Sequence, residues 1–354
     1  MLLPTNYFVL LPFFLVMLAS CAASDNKASA KEENSGCTQP KEMELAAAKI
    51  VKGVVRDCEG YEDDDEAEAL CVLKGFTKYL ARTMEEQGFE ATVRDKLATS
   101  LEAYSCSDNS LSSSNPLRSE TWEDPVSQQT LQIQVMQEHA SSKIHLIENF
   151  VSAEECQAII DQANVTGMSN ASVAGGQLYS SIRKALQTNV AVPWDLEHTG
   201  HPISRATRRV YNYANHVLKG LHLDEAGQST LKFILYSGRG QNDTEPDLYN
   251  NHCDGACDGS QHRTGGRVAT MIMYCGTATS GGHTNFKNAG IHINPKTGDG
   301  LFFSYIDPET MRMDNGFSMH SGCPVYVGEK KVVTQWLRLG VSSSRPYGAF
   351  RGVF

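Results

Sequence analysis

The chain reads as mainly β with flanking helices: a double-stranded β-helix, or jelly roll, preceded by a small α-helical module stapled by cysteines. Three observations predict this. From Leu231 onward, short runs rich in β-branched and aromatic residues alternate with Gly, Asp, Asn and Pro turns, the rhythm of short antiparallel strands. Two helical patterns, beginning near Ser152 and Ser204, precede those runs and suit the outer face of a sheet. Upstream of residue 107, apolar residues recur at helical spacing between Cys37, Cys58, Cys71 and Cys106.

In chain order, Tyr7 to Ala19 is almost wholly apolar and is followed by Ser20-Cys21-Ala22-Ala23. Residues 1–23 therefore read as a signal peptide cleaved near Ala23, or as a retained N-terminal anchor. Ser24 to Gly36 is polar and offers nothing to a core. In the module at 37–106, Leu45, Ala48, Val51 and Val55 mark one helix and Leu70, Leu73, Phe76 and Leu80 a second, with a third over Ala91 to Tyr104. Its four cysteines suggest two disulfides, and spacing does not fix their pairing. Residues 107–142, serine-rich and broken by Asn115-Pro116 and Asp124-Pro125, read as a linker.

A larger domain spans 143–345. It opens with an alternating stretch at Ile144, Leu146 and Ile147, and Ser152 with Glu155 forms a capping box for a helix. A second helix is expected over about Ser204 to Leu218, ending at Gly220, with Arg205, Arg208 and Arg209 as a solvated face. Between the helices, 167–199 is polar and mixed, a flap near the site or a plain loop. Strands are expected at Leu231 to Tyr236, Arg267 to Tyr274, His283 to Phe286, Ile291 to Ile293, Gly300 to Ser304 and Lys330 to Leu339.

The chemistry concentrates between Leu248 and Arg338. In an extended strand residues i and i+2 share a face, so His252 and Asp254 reach one side together. With His320 they compose two imidazoles and a carboxylate, the facial triad that holds non-haem Fe(II) and leaves positions open for substrate and dioxygen. In the last strand Lys330, Val332, Thr334, Trp336 and Arg338 alternate with Lys331, Val333, Gln335 and Leu337. Lys330 then points inward beside a core tryptophan, where a buried ammonium needs an anion. A dicarboxylate cosubstrate would supply one. Cys253 and Cys257 with His252 and His262 form only a loose zinc pattern. The cysteines of this domain, Cys156, Cys253, Cys257, Cys275 and Cys323, are better read as disulfides or buried thiols, with one left free unless it bridges elsewhere.

The ordered set Tyr249-x-x-His252-x-Asp254, Arg267 to Tyr274, Gly281-Gly282-His283-Thr284, Gly298 to Phe303, His320-x-x-Cys323-Pro324, Gly328-x-Lys330 and Trp336 resembles the catalytic domain of the prolyl 4-hydroxylase-type 2-oxoglutarate- and Fe(II)-dependent dioxygenases. The likeness extends upstream to about Lys143. It implies His252, Asp254 and His320 as iron ligands and Lys330 as the residue binding the distal carboxylate of 2-oxoglutarate. Thr270 and Tyr236 would assist that carboxylate by hydrogen bonding. Tyr249 would line the proline subsite, with Arg338 and His283 near the substrate. The implied cofactors are Fe(II), 2-oxoglutarate, O2 and ascorbate. His283, Cys253 and Arg338 depart from the residues common in the family at those places.

The implied reaction is hydroxylation of prolyl residues, at the 4-position, in a proline-rich secretory polypeptide. The alternatives are a related dioxygenase acting on lysyl residues or a small amino acid, and a non-catalytic secreted jelly-roll binding domain. A net charge of −10 and a pI near 5.6 argue against a nucleic-acid partner, whose phosphates need clustered Lys and Arg. Sequons at Asn164, Asn170 and Asn242 and ten cysteines point to the secretory pathway, in the endoplasmic reticulum or Golgi lumen.

Overall fold

The computed structural model describes Cys106 and residues 111–172 and 182–350. The signal or anchor segment and, apart from Cys106, the helical module lie outside the described residues. Strands β1 (Arg118–Glu123), β2 (Thr130–Glu138) and β3 (Lys143–Ile147) come first, then α1 (Ala153–Thr166), β4 (Ser169–Asn170), β5 (Arg183–Lys184) and β6 (Leu186–Val190). A 3-10 turn at Trp194–Thr199 leads into α2 (Pro202–Val217). The remainder is β: β7 (Leu231–Ser237), β8 (Asp247–His252), β9 (Arg267–Gly276), β10 (Ser280–Gly281), β11 (Thr284–Phe286), β12 (Ile291–Ile293), β13 (Gly300–Ser304), β14 (His320–Val327) and β15 (Glu329–Arg338).

These strands form two antiparallel sheets, as a jelly roll requires. One runs β1-β2-β3-β13-β9-β15-β7-β6-β4 and the other β12-β11-β14-β8-β5, with β10 beside β14. The central strand β9 reads as a nearly continuous apolar run because both of its faces are covered. Ile272 lines a cavity between sheets, while Cys275 on the other face is bonded to Cys156 of α1. β15 alternates as its sequence demands. Lys330, Val332, Thr334 and Trp336 line the cavity, and Lys331 turns to the half-exposed surface to pair with Glu329 at 2.8 Å. Gly328 makes the one-residue turn between β14 and β15 at φ 83°, a conformation that favours glycine.

α1 begins where the capping box placed it. Ser152 Oγ accepts from the Glu155 amide, and the Glu155 carboxylate accepts from the Ser152 amide. α2 begins two residues earlier than expected, because His201 caps it and Pro202 occupies the first turn. Its arginines are not a solvated face. Arg209 is buried, donating to Glu155 at 3.0 Å and to the Phe150 carbonyl. Arg205 pairs with Glu154 and Glu155, and Arg208 with Glu197 and Glu225.

Three further expectations are corrected. The stretch 107–142 is not a linker throughout, since β1 and β2 add an edge meander to the larger sheet. Its signal is weak because β1 buries only Trp122. The mixed stretch 167–199 contains β4, β5, β6 and the 3-10 turn. Nor does Cys106 staple the N-terminal module: it bonds Cys323 of β14, so the fifth cysteine of the domain is not a free thiol.

Candidate functional site

His252 and His320 are direct cross-strand partners, paired in register at the ends of β8 and β14. Residues so placed bring their side chains together, and the two rings lie 4.2 Å apart. Asp254 follows just past the end of β8. Its Oδ1 stands 3.6 Å from His252 Nε2 and its Oδ2 3.9 Å from His320 Nε2. One ligand atom from each of the three lies within 4.8 Å of the others. The sequence expectation for the triad is thus met in space, although Asp254 belongs to a loop rather than the strand.

The outer contacts orient these groups. His252 Nδ1 donates to the Asn250 carbonyl at 2.9 Å and His320 Nδ1 to the Ser318 carbonyl at 3.0 Å. Both Nε2 atoms therefore face Asp254, the arrangement that metal-ligating histidines adopt. Burial, and then the neighbouring His320, pushes His252 down to about 3, so its imidazole is neutral and able to ligate. Burial alone would raise Asp254, but the His320 and His252 rings, Arg267 and a Thr270 hydrogen bond outweigh it. Its carboxyl stands at about 2. Two imidazole nitrogens and a carboxylate on one side of a cavity fit a divalent Fe, Mn or Co ion.

That cavity lies between the sheets and is open to solvent on one side. Tyr236, Ile272 and the β15 face line one wall; Arg183, Tyr249, Thr284, Ser321 and Gly322 line the other. At the end away from the triad, Lys330 is buried, with Nζ 3.4 Å from Thr284 Oγ1 and 3.5 Å from the His283 carbonyl. The rings of Tyr236 and Tyr274 lie 5.7 and 5.8 Å away. Among the described residues no carboxylate pairs with it, and burial lowers it to about 7. A Cβ on Gly322 would stand 3.7 Å from this ammonium, so glycine there leaves the approach to Lys330 open.

Tyr249 and Tyr236 both line the cavity, as expected. The Tyr249 ring stacks on His252 at 3.5 Å, with the Arg183 guanidinium 4.5 Å from its centre. Thr270 is a correction. Its hydroxyl donates to Asp254 Oδ2 at 2.8 Å, and it supports the carboxylate of the triad rather than the lysine end. Arg338 is another. It lies eight residues beyond Lys330, about 25 Å along the strand, where it donates to the Gly265 carbonyl and covers the Tyr347 ring. His283 is turned away from the cavity, its Nδ1 2.8 Å from His292 Nε2. The zinc pattern is dissolved by the Cys253–Cys257 disulfide.

Among the cavity residues that sequence reasoning missed are Thr284 and Arg183. Thr284 stood in the Gly281-Gly282-His283-Thr284 motif, where attention went to His283. Arg183 lies on a two-residue strand with no periodic signal.

Residues 242–338 match the model of the 2OG-Fe(II) oxygenase superfamily. The chain is 38% identical over 96 residues to a putative prolyl 4-hydroxylase of Acanthamoeba polyphaga mimivirus, covering 25% of this chain and 39% of that protein. It is 33% identical over 98 residues to probable prolyl 4-hydroxylase 4 of Arabidopsis thaliana, covering 22% and 32%. The match thus spans about a third of the length of those relatives. Among solved structures, the viral collagen prolyl hydroxylase of Paramecium Bursaria Chlorella virus-1 in its 2OG complex is 26% identical. That alignment covers 55% of this chain and 96% of that one, with a TM-score of 0.42.

Proposed function

We propose, on the premise that this chain carries a 2OG-Fe(II) oxygenase domain of the prolyl 4-hydroxylase type, that it hydroxylates prolyl residues of a polypeptide at the 4-position. The observation that carries the reading is Lys330, a buried cation with no carboxylate partner among the described residues, in the same cavity as the His252, Asp254 and His320 cluster.

His252, Asp254 and His320 would hold ferrous iron. Bound there, the ion supplies oxidation of a C–H bond by dioxygen, coupled to decarboxylation of 2-oxoglutarate to succinate and CO2. Lys330 and Thr284 receive the distal carboxylate, a charge-assisted contact in a site with little water to compete. Val332, Ile234 and Ile272 flank it with apolar surface. Tyr249, fixed by its stacking on His252 and by Arg183 over its ring, lines the cavity beside the triad where a pyrrolidine would sit, and positioning of that kind governs rate steeply. A proline-rich chain suits the cleft because its polyproline II form is already extended.

Secretory residence and ascorbate as the reductant belong to the same proposal. Asn164, Asn170 and Asn242 are all exposed, as glycan acceptors must be. A gel shift on deglycosylation of native protein is expected, and an unshifted band counts against this route.

The test of the reaction is mass spectrometry of proline-rich and lysine-containing peptides after incubation with Fe(II), 2-oxoglutarate, O2 and ascorbate. One oxygen gained on proline, with one succinate formed, is the expected result. Oxygen on lysine would move the protein to the lysyl class.

A further inference from the structure

We propose that the Cys253–Cys257 disulfide is a clasp that positions the Asp254 carboxylate for the metal, an inference that rests on the metal-site reading above. β8 ends at His252, so Asp254 lies beyond the last ladder pairing of its strand. The disulfide bridges cysteines four positions apart and encloses Asp254, Gly255 and Ala256 in its ring. Inside that ring, Gly255 is pressed on a neighbour: a Cβ there would stand 2.3 Å from the Tyr305 ring. The Tyr305 hydroxyl is 3.2 Å from Thr270 Oγ1, which donates to Asp254 Oδ2. Arg267 holds the Asp254 carbonyl at 2.8 Å. The carboxylate is thus held from within the barrel, and the covalent ring together with Arg267 restrains its backbone.

Loop length shows that the effect is local. Sequence separations across the three bridges of the described residues are 4, 119 and 217. The constraint a disulfide places on the unfolded chain grows with the loop it closes, so the Cys253–Cys257 bridge adds the least to global stability. Without it, a segment containing glycine and lacking ladder bonds has many backbone conformations open to it. The bridge is also the accessible one. Cys253 and Cys257 are both half-buried, whereas each of the other bridges has a buried cysteine: Cys156 and Cys275 are 5% and 8% exposed, and Cys323, the partner of half-buried Cys106, is 2% exposed. A dithiol reductant therefore opens Cys253–Cys257 first, giving two cysteine thiols and the oxidised, cyclic reductant.

The experiment is a Co(II) titration of the full oxidised chain, followed by visible absorption, comparing the parent with the Cys253→Ser/Cys257→Ser and His320→Ala variants. Loss of a support outside the ligand set typically costs about 10–100-fold in metal affinity. The double variant is expected to show a Co(II) Kd raised by about tenfold or more, with an unchanged circular dichroism spectrum and an unchanged KM for 2-oxoglutarate at saturating metal. Unaltered Co(II) affinity in the double variant, beside a parent whose binding depends on His320, overturns the clasp and leaves the metal site standing. Parent binding that is absent, or indifferent to His320→Ala, takes down both. If the double variant does not fold, brief dithiol treatment of the parent, with the two thiols then capped as methyl disulfides, replaces it. The same weakening is expected, and an unweakened Kd overturns the clasp.

Discussion

The two ends of the cavity are both buried and both charged, with opposite signs. At the triad end, Asp254 lies between two imidazoles and also takes a hydrogen bond from Thr270. At the other end, Lys330 meets a hydroxyl, a carbonyl and two tyrosine rings, and no carboxylate pairs with it among the described residues. A buried charge that the protein leaves without a counter-charge is a cost, and it persists where a ligand removes it. The triad end is built to be occupied by a cation and the lysine end by an anion. The separation of the two along one cleft selects a molecule with an anionic group at its far terminus.

Substitutions test this contrast in descending order of effect. Asp254→Ala removes the only carboxylate at the metal end, and turnover measured by succinate release is expected to fall below detection. Lys330→Ala removes the cation at the other end. Breaking a buried pair costs about 3–5 kcal/mol, so the KM for 2-oxoglutarate should rise roughly 100-fold or more while Co(II) affinity holds. Thr270→Val sharpens the boundary between the ends. Its expected effect is a roughly 10-fold weaker metal affinity with the KM for 2-oxoglutarate at saturating metal unmoved; the reverse pattern would return Thr270 to the anion end.

The pH dependence is smaller and follows from Lys330. Burial lowers its pKa from the ordinary 10.5 to about 7. Between those values the unfolded chain binds more protons than the unliganded fold, so the contribution of this group to stability rises with pH across that window. The dicarboxylate binds the ammonium form, so its affinity falls as pH climbs above about 7. Calorimetric titration of 2-oxoglutarate at pH 6 and pH 8 should show binding weaker by roughly tenfold at the higher pH. Lys330→Arg should flatten that difference. The smallest effect belongs to Lys331→Ala. Its pairing with Glu329 is half-exposed and worth about 0–1 kcal/mol, so activity is expected to stay within about twofold.

The same contrast explains what the sequence discloses. Lys330 is legible because a period of two fixes which residues share a face, and His252 and Asp254 because a distant histidine completes a recognisable ligand set. Thr270 is assigned to the wrong end, since linear order cannot tell which of two inward polar groups a threonine meets. Arg338 shares the alternation of Lys330, but alternation carries no information about distance along the strand. Arg183 is silent because a two-residue strand in a mixed stretch has no period to detect. The helix arginines are misread for a related reason. Glu155 is visible as a cap, but its second task of neutralising Arg209 depends on how α1 and α2 pack.

The Cys106–Cys323 bridge bears on how the molecule is made. Cys106 leaves the ribosome first, and its partner follows 217 residues later, inside the strand that sets His320 opposite His252. Closing so long a loop removes about 5 kcal/mol of disorder from the unfolded chain. It cannot close until β14 has been synthesised. The bond therefore forms only in a chain that already carries its second histidine, and it ties the segment ahead of β1 to the strand that presents that ligand.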